Sequence, residues 1–361
     1  MPTGALAELR IDLGAVAANW HDLRARHAGG DVAAVVKADG YGLGAVPIAI
    51  RLLAEGCRHF FVAHLSEALA LRPYVPGAML AVLNGLPPGA EAEFAAHDVT
   101  PVLGTLDEVA RWRAVARARD RPLGALLHID TGMARLGLSH GDVAVLAADP
   151  ALLARIAVRY VMTHMISAER PDDPLNARQR AEFDALRRLL PAAPTSLANS
   201  AGMFLGRDFA SDLARPGAAL VGINPTSEQA HPLRPVASLR ARVLQVRDVP
   251  VGGSVGYNAT WQAARPSRIA VLGVGYGDGW PVALSNRGRA SFDGGAVPLV
   301  GRVSMDLTTY DVTDQPGVTP GCWLELIGPN RSLERVAAEA GTLAYAMLTS
   351  LGPRYARIYA G

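Results

Sequence analysis

Cysteine is scarce in this sequence: the 361 residues include only Cys57 and Cys322, which lie far apart in the chain. A framework of disulfide bonds is therefore not expected, and a reducing compartment is favoured. The N-terminal residues contain no basic segment followed by an apolar one, so we expect no signal peptide. No apolar stretch approaches the roughly 20 residues that a membrane-spanning helix needs. These absences predict a cytoplasmic protein with no membrane partner.

A strong excess of either charge is also lacking, since the formal net charge is +2 and the arginines are scattered. This balance gives no indication of nucleic acid or of an anionic membrane as a partner. Half of the residues are apolar and 19% are charged, which is enough apolar material to fill a core. The C-terminal third has no cluster of His, Cys and Asp residues with metal-ligand spacing, so no metal is expected.

Short apolar runs alternate with amphipathic stretches over the first two-thirds of the chain. The stretches show helical spacing, and Asp12 provides an N-cap signal before the first of them. Eight such units predict an α/β fold, a (β/α)₈ TIM barrel; strand count and length disfavour the alternative, an open doubly wound sheet. The runs predicted as strands are Val32–Val36, His59–His64, Met79–Leu83, Thr100–Leu103, Ala125–Ile129, Arg159–His164, Thr195–Ala198 and Ala214–Val221.

The composition of the sequence changes at Asn224, where a linker-like segment, NPTSEQAHPLRP, contains three prolines. Beyond it come β-branched runs punctuated by glycine, which predict strands and turns. Only Arg331–Leu348 has the spacing of a helix. We therefore predict a barrel domain over residues 1–232 and a mainly β domain over residues 233–361, which the first strand of the chain could join.

Polar side chains follow several of the predicted barrel strands. Active sites of such barrels lie at the C-terminal ends of the strands. Each residue alone has an ordinary explanation, because a strand-end lysine is usually solvated and a serine often caps the next helix. Their coincidence at one rim predicts a functional site. The residues are Lys37, Asp130, Arg135, His164, Asn199, Ser200 and Arg215.

Lys37, in the segment VVKADGYGLG, is the most informative of these residues. A lysine beside an apolar strand end can be partly desolvated, which lowers its pKa and makes the neutral amine available for imine formation. Tyr41 lies in the glycine-rich turn Gly40–Gly44, where backbone and phenol can approach an anion closely. A phosphate would suit the loops after the last two strands, where Ser200 and Gly217 offer a hydroxyl and a backbone N–H.

Taken together, these segments resemble the alanine racemase family, the fold-type III enzymes that use pyridoxal 5′-phosphate. The resemblance runs over nearly the whole chain, from IDLGAVAANW to LTSLGPRYARIY. VVKADGYGLG matches the cofactor-lysine signature of the family. The motifs DTGMARLG, THMISAE, ANSAG, ARPGAAL, VGYNATW, GYGDGW and GRVSMD then follow in family order with family-like spacing.

The resemblance implies a role for each candidate residue. Lys37 would carry pyridoxal phosphate as a Schiff base, and Lys37 and Tyr257 would be two catalytic bases on opposite faces of the substrate. Arg215 would face the pyridine nitrogen, and His164 would orient Tyr257. Cofactor contacts are implied for Lys37, Tyr41, Arg135, His164, Asn199, Ser200, Arg215, Gly217 and Ala218. Substrate contacts are implied for Arg135, Tyr276 and Met305.

The resemblance also implies an isomerase that interconverts L-alanine and D-alanine and supplies D-alanine for peptidoglycan of the cell wall. Family members are head-to-tail homodimers in which the β domain of one chain covers the barrel mouth of the other. Tyr257, Tyr276 and Met305 would then serve the partner's site. Two alternatives stay open: a broader-specificity, serine or lysine racemase on the same scaffold, and a non-catalytic pyridoxal-phosphate binding protein, which would resemble the barrel alone.

The sequence departs from the family pattern at three positions. His128 stands where many members have a lysine whose carbamate holds the arginine equivalent to Arg135. Pro353 stands where some members place a tyrosine that contacts the phosphate. Ser196 replaces a histidine that supports the arginine equivalent to Arg215. None of the three departures affects Lys37 or Tyr257.

Overall fold

The structure is a computed structural model that describes residues 4–226 and 231–361. The middle of the predicted linker, residues 227–230, therefore lies outside the described residues. No helix within the described ranges is long and apolar enough to cross a membrane.

The chain divides into two compact units. One comprises Val16–Arg234, and the other joins the N-terminal residues as far as Ala15 with Pro235–Gly361. The first strand, β1 (Ala7–Asp12), therefore belongs to the same unit as the C-terminal third. Helix α1 (Leu13–Arg26) follows, and Asp12 Oδ1 accepts a hydrogen bond of 2.8 Å from Ala15 N, as an N-cap does.

The Val16–Arg234 unit alternates short strands with helices. Its strands are β2 (Asp31–Val32), β3 (Ala34–Val35), β4 (His59–Val62), β5 (Met79–Val82), β6 (Thr100–Leu103), β7 (Leu123–His128), β8 (Ile156–Met162), β9 (Thr195–Ser196) and β10 (Leu213–Ala214). Its further helices are α3 (Ala45–Ala54), α4 (Leu65–Leu71), α5 (Glu91–Ala96), α6 (Leu106–Ala118), α7 (His140–Ala148) and α8 (Pro174–Arg187), and the short segment α2 (Lys37–Tyr41) before them is a left-handed turn.

The parallel strands close into a barrel. Strands β3 to β9 form one sheet in chain order, and β10 pairs in parallel with β2. Two further backbone hydrogen bonds join these parts: Ala33 N donates to Ala214 O at 2.9 Å, and Arg215 N donates to Ala198 O at 2.8 Å. The barrel predicted from the alternation of apolar runs is therefore confirmed, and the sheet is not an open one.

Apolar side chains fill the inside of the barrel. Because helices cover the outside, the strands are buried on both faces, which explains why they read as continuous apolar runs. Almost every strand contributes to the central cluster, so the barrel is packed and is not a pore. The cluster consists of Ala33, Val35, Phe61, Ala81, Val102, Leu126, Met162 and Leu213.

The last predicted strand, Ala214–Val221, is wrong over most of its length. Strand β10 ends at Ala214, and Ala218–Val221 forms a 3₁₀ helix. The physical reason is Pro216, which has no N–H to donate to a neighbouring strand. Arg215 consequently lies directly after β10, at the end of the barrel where active sites are found.

The other unit is mainly β, as predicted. Its further strands are β11 (Ala237–Val249), β12 (Ser254–Val255), β13 (Trp261–Gln262), β14 (Ser267–Leu272), β15 (Arg289–Phe292), β16 (Gly295–Pro298), β17 (Thr308–Asp311), β18 (Trp323–Ile327) and β19 (Ala356–Ala360). Six strands form a sheet in the order β16-β15-β18-β11-β1-β19, and β14 pairs with both β11 and β17. Strand β11 reaches both groups because its register shifts between Val243 and Gln245, a bulge that bends it.

The single helix predicted over Arg331–Leu348 is in fact two. Helix α9 (Leu333–Glu339) and helix α10 (Ala344–Thr349) are separated at Gly341, which has a φ of 66°. A left-handed glycine ends a helix readily because it has no Cβ to clash with the backbone. The sequence has helical spacing on both sides of this glycine, but the helix itself is interrupted there.

Candidate active site

Lys37 lies at the rim of the barrel, just beyond β3, and the turn after it is left-handed. Ala38, Asp39 and Tyr41 have φ angles of 52°, 52° and 58°, which non-glycine residues rarely adopt. Such residues cost about 1–2 kcal/mol each, so other contacts must hold them in place. Glu67 Oε1 accepts from Ala38 N at 2.6 Å, and Asp39 Oδ1 accepts from Ala45 N at 2.9 Å.

The Lys37 amine is set up to be neutral more readily than an ordinary lysine. Burial lowers its pKa, the positive charge of Arg135 lowers it further, and the negative charge of Glu67 offsets part of this effect. Within the described ranges, Lys37 Nζ has no hydrogen bond or ion pair. A neutral amine without a protein partner can act as a nucleophile toward a carbonyl group.

A buried cradle of N–H groups lies where the sequence predicted phosphate binding. Ser200 Oγ accepts from Gly217 N at 3.0 Å and from Ala219 N at 3.2 Å. The N–H groups of Ser200 and Ala218 donate to no acceptor in the part of the chain that the structure describes, although both residues are buried. Buried N–H groups are almost always paired, so these donors fit an anionic ligand.

Tyr41 closes this cradle on one side. A Cβ atom added to Gly217 would lie 1.9 Å from the phenolic oxygen of Tyr41, so the hydroxyl rests directly against the glycine. Any residue with a side chain at this position would displace the Tyr41 ring from the glycine. The fold therefore brings together Tyr41, Ser200 and Gly217, three of the residues predicted to hold the phosphate.

Arg215 is a buried cation with no carboxylate partner among the described residues. Its Nη2 donates to Thr163 O at 2.6 Å and its Nη1 donates to Ser196 Oγ, which in turn donates to Leu213 O. Ser196 thus supports the guanidinium at the position where the family pattern has a histidine. Burial lowers the pKa of Arg215 to about 10, so it stays charged at neutral pH. An unpaired buried charge is costly, which fits a guanidinium that faces an electron-rich ligand atom.

The two histidines of the rim are neutral. Burial, together with the charges of Arg215 and Arg135, lowers the pKa of His164 to about 3 and that of His128 to about 4. Neither ring therefore adds positive charge to the site at neutral pH. His164 can assist a nearby group by a hydrogen bond, and His128 cannot replace the anionic carbamate that the family pattern places beside Arg135.

A buried polar network, which sequence reasoning missed, holds the rim together. Gln179 Nε2 donates to Thr131 Oγ1 at 3.0 Å and to His164 O at 3.1 Å. Thr131 Oγ1 lies 2.7 Å from Thr163 Oγ1, and the carbonyl of Thr163 is the acceptor for Arg215. The two threonines belong to the DTGM and THM motifs, but no sequence signal pointed to Gln179 on α8.

Arg135 and Asn199, two further residues of the predicted site, lie on loops of the barrel unit. Arg135 is exposed on a loop shaped by Asp130, whose Oδ1 accepts from Gly132 N at 3.0 Å. Asn199 uses both ends of its carboxamide on the backbone: Oδ1 accepts from Gly202 N at 2.9 Å and Nδ2 donates to Met165 O at 3.4 Å. Asn199 thus shapes the loop that carries Ser200.

Tyr257, Tyr276 and Met305 belong to the other unit and are exposed by 68%, 46% and 54%. Tyr257 begins a 3₁₀ helix after Gly256, which has a φ of 77°. Tyr276 N donates to Ser304 O at 3.0 Å. The N–H of Met305 donates to no acceptor within residues 4–226 and 231–361 and is therefore available to a ligand.

Comparisons with known proteins agree on one family. The family models described as "Alanine racemase, N-terminal domain" and "Alanine racemase, C-terminal domain" match residues 11–225 and 236–359. The alanine racemase of Acidiphilium cryptum (strain JF-5) is 56% identical over 350 residues, covering 97% of this chain and 98% of the relative. That of Brucella abortus (strain 2308) is 47% identical over 367 residues, covering 97% and 93%.

Solved structures give the same result. The alanine racemase from Bartonella henselae with covalently bound pyridoxal phosphate is 40% identical to this chain, with a TM-score of 0.95. The match covers 99% of this chain and 100% of that one. The biosynthetic alanine racemase from Pseudomonas aeruginosa is 31% identical, with a TM-score of 0.91 and coverage of 99% and 100%.

Replacing Gly217 by alanine tests the phosphate cradle, because the new Cβ would collide with the Tyr41 hydroxyl. Loss of one hydrogen bond to a charged group costs about 1.5–3 kcal/mol, so we expect pyridoxal phosphate to bind about tenfold to hundredfold more weakly. The measurement is a titration of the apoenzyme. Gly141→Ala is the matched control, since its Cβ would meet only Ser139 Oγ at 3.7 Å. Equal affinities of the two variants would contradict the assignment.

After burial, the charge of Arg135 is the second cause that lowers the pKa of Lys37, so it should lower the pH at which Lys37 reacts. Arg135→Gln removes a positive charge that lowers the pKa of Lys37, so that pKa should rise and less neutral amine should exist at a given pH. Covalent attachment of pyridoxal phosphate to the apoenzyme should then shift to higher pH, as followed by absorbance over a pH series. Arg117→Gln, on the exposed face of α6, should leave the midpoint unchanged. An unmoved midpoint in Arg135→Gln refutes the effect.

Proposed function

This chain belongs to the alanine racemase family, and from that membership we propose a complete assignment of its catalytic groups. The protein is a pyridoxal-phosphate-dependent isomerase that interconverts L-alanine and D-alanine. The observation that carries the assignment of groups is the position of the Lys37 amine, which has no partner among the described residues, on the same barrel rim as the buried N–H cradle of Ser200 and Ala218. A non-catalytic protein with the barrel alone does not fit, because the C-terminal family model matches residues 236–359.

The rim residues fit pyridoxal phosphate in three respects. Lys37 Nζ would hold it covalently, and Tyr41, Ser200, Gly217 and Ala218 would hold its phosphate. Arg215 would face the ring nitrogen. When bound, the cofactor supplies an imine and a ring that delocalise negative charge from the α-carbon of the substrate.

Arg215 would also control the protonation of the ring nitrogen. A guanidinium has donors and no acceptor, so it cannot take a proton from its neighbour or share one with it. By donating a hydrogen bond to the ring nitrogen, Arg215 would keep that nitrogen unprotonated. Arg215 would thereby weaken the withdrawal of charge into the ring and limit side reactions at the α-carbon.

Lys37 and Tyr257 would be the two groups that move protons. Racemisation removes the α-proton from one face of alanine and returns a proton to the other face. The lowered pKa of Lys37 suits a base that works near neutral pH. A catalytic phenol needs a hydrogen bond or a positive charge to give up its proton, and the neutral ring of His164 and the charge of Arg135 would supply these.

We assign the substrate carboxylate to two groups of different origin. Arg135 would contact it from the barrel, and the N–H of Met305, which has no acceptor in the described part of the chain, would contact it from the β unit, with Tyr276 at the entrance. The exposure of Tyr257, Tyr276 and Met305 supports a head-to-tail homodimer in which these residues serve the partner's barrel. Supply of D-alanine for peptidoglycan in the cytoplasm is the cellular role that we propose for this activity.

The function is tested with purified holoenzyme and each enantiomer of alanine. Lys37→Ala should abolish both racemisation and the absorbance band of the bound cofactor. Tyr257→Phe should keep the band and lose racemisation, while exchange of the α-proton with solvent persists for one enantiomer only. Tyr359→Phe, at an exposed tyrosine of β19, is the control. A panel of other amino acids, serine and lysine included, distinguishes the broader racemases; wild-type enzyme inactive on alanine would refute the function.

Mixing two inactive variants tests the shared site. If Tyr257 serves the partner's barrel, a hybrid of one Lys37→Ala chain and one Tyr257→Phe chain has one intact site. Random reassociation makes about half of the dimers hybrids, so about a quarter of wild-type activity should return. If each chain instead serves its own barrel, neither site of a hybrid is intact and no activity returns. The measurement is racemisation before and after dissociation and reassociation of the mixture.

A further inference from the structure

We propose that Arg354 is a positioning residue for the carboxylate site, because its guanidinium joins the two loops that carry Tyr276 and Met305. We call residues 273–280 the tyrosine loop and residues 301–307 the methionine loop. This inference rests on the proposed function, in which the N–H of Met305 contacts the substrate carboxylate. Arg354 lies outside both loops, near the C-terminus.

The backbones of the two loops are in direct contact. Tyr276 N donates to Ser304 O at 3.0 Å, and Gly277 N donates to Met305 O at 2.8 Å. A Cβ atom at Gly275 would lie 2.3 Å from Ser304 O, so the loops leave no room for a side chain between them. A shift of either loop would therefore break hydrogen bonds of the other.

This contact fixes the direction of the Met305 N–H. The carbonyl of Ser304 and the N–H of Met305 belong to one planar trans peptide, in which they point in opposite directions. Since Ser304 O points at Tyr276 N, the Met305 N–H points away from the tyrosine loop. The donor is thus aimed by a hydrogen bond on the far side of its own peptide.

Arg354 clamps the two loops from the side. Its Nε donates to Asp278 Oδ1 of the tyrosine loop at 2.7 Å, and its Nη1 donates to Asp306 Oδ1 of the methionine loop at 2.7 Å. Its Nη2 reaches Met305 O at 3.5 Å. A planar guanidinium can direct separate donors at two carboxylates, whereas a lysine ammonium is a single point of charge. The clamp therefore depends on arginine at this position.

Asp278 connects the clamp to the core of the unit. It is buried, its Oδ2 accepts from Gly275 N at 2.9 Å, and its carbonyl accepts from Gly352 N at 2.9 Å. Arg354 follows Gly352 by two residues, so the C-terminal segment and the tyrosine loop hold each other. The charge of Arg354 also matters: without it, two carboxylates would remain beside a peptide that binds an anionic group, and they would repel that group.

The test compares Arg354→Ala, Arg354→Lys and the control Arg265→Ala. Arg265 has a similar exposure, 53% against 48%, and pairs with Asp314 in the same unit. We expect Arg354→Ala to raise the KM for both enantiomers about tenfold or more, with a smaller change in kcat and an unchanged cofactor spectrum. Arg354→Lys keeps the positive charge but loses the planar set of donors, so its KM should lie between those of the wild type and Arg354→Ala. Arg265→Ala should match the wild type.

Binding of propionate, which is alanine without its amino group, gives a readout that does not need turnover. Its Kd, measured from the change in cofactor absorbance, should rise in Arg354→Ala by a factor similar to that of the KM. A KM and a propionate Kd equal to those of the wild type would overturn the proposal, as would a loss of kcat alone. If Arg354→Ala does not fold, the same comparison with Arg354→Lys decides. If the wild-type enzyme binds propionate but does not racemise alanine, the proposed function is refuted. The propionate Kd of the Arg354 variants would still test the role of Arg354.

Discussion

The buried guanidinium of Arg215 is the constraint on which the rest of the barrel mouth depends. This cation has no carboxylate partner in the described chain, and it is held by hydrogen bonds to Ser196 Oγ and to the carbonyl of Thr163. Burial lowers its pKa only to about 10, so it remains charged at neutral pH. Its charge has consequences for its neighbours. Burial and, after it, the charge of Arg215 keep His164 and His128 neutral, so these rings can form hydrogen bonds but add no positive charge. Arg215 and Arg135 bring positive charge to the barrel mouth, which suits a ligand that carries a phosphate and a substrate that carries a carboxylate.

The strained turn after Lys37 belongs to the same arrangement. Left-handed residues persist only where their surroundings impose them, and they are concentrated at functional sites. Here the surroundings are specific: Glu67 holds Ala38, and Asp39 holds the start of α3. The turn places the Tyr41 hydroxyl against Gly217, which follows β10, the strand that pairs with β2 and closes the barrel. The Tyr41 hydroxyl therefore lies against the N–H cradle of Ser200 and Ala218. This position depends on the strand pairing, on the strained turn and on the absence of a side chain at Gly217.

Much of the fold could be predicted from the sequence, because it follows from local patterns. Alternating apolar runs predicted the barrel, and β-branched runs with glycines predicted the β unit. The polar residues of the barrel rim could be predicted because the family motifs that contain them fall at the ends of predicted strands. The misses are all positions where a distant contact or a single residue decides. Pro216 ended a strand within an apolar run, Gly341 divided a helical pattern, and Gln179 joined the rim from a helix whose sequence only shows an amphipathic spacing. The cofactor contact of Asn199 stays a prediction, and the folded loop adds backbone partners for its carboxamide that the sequence does not reveal.

The two units contribute different kinds of group, and this difference bears on how the activity is controlled. The barrel unit holds Arg215, Gln179 and the N–H groups beside Ser200 in a buried network of hydrogen bonds. The β unit presents Tyr257, Tyr276 and the Met305 N–H at its surface, on loops fixed by their own hydrogen bonds. In the proposed dimer each half is therefore preorganised before the halves meet, so association supplies proximity and little further ordering is required. A single chain would then bind the cofactor through Lys37 but lack the second proton-moving group. Cofactor binding and racemisation would depend on different equilibria, the first on the barrel and the second on assembly.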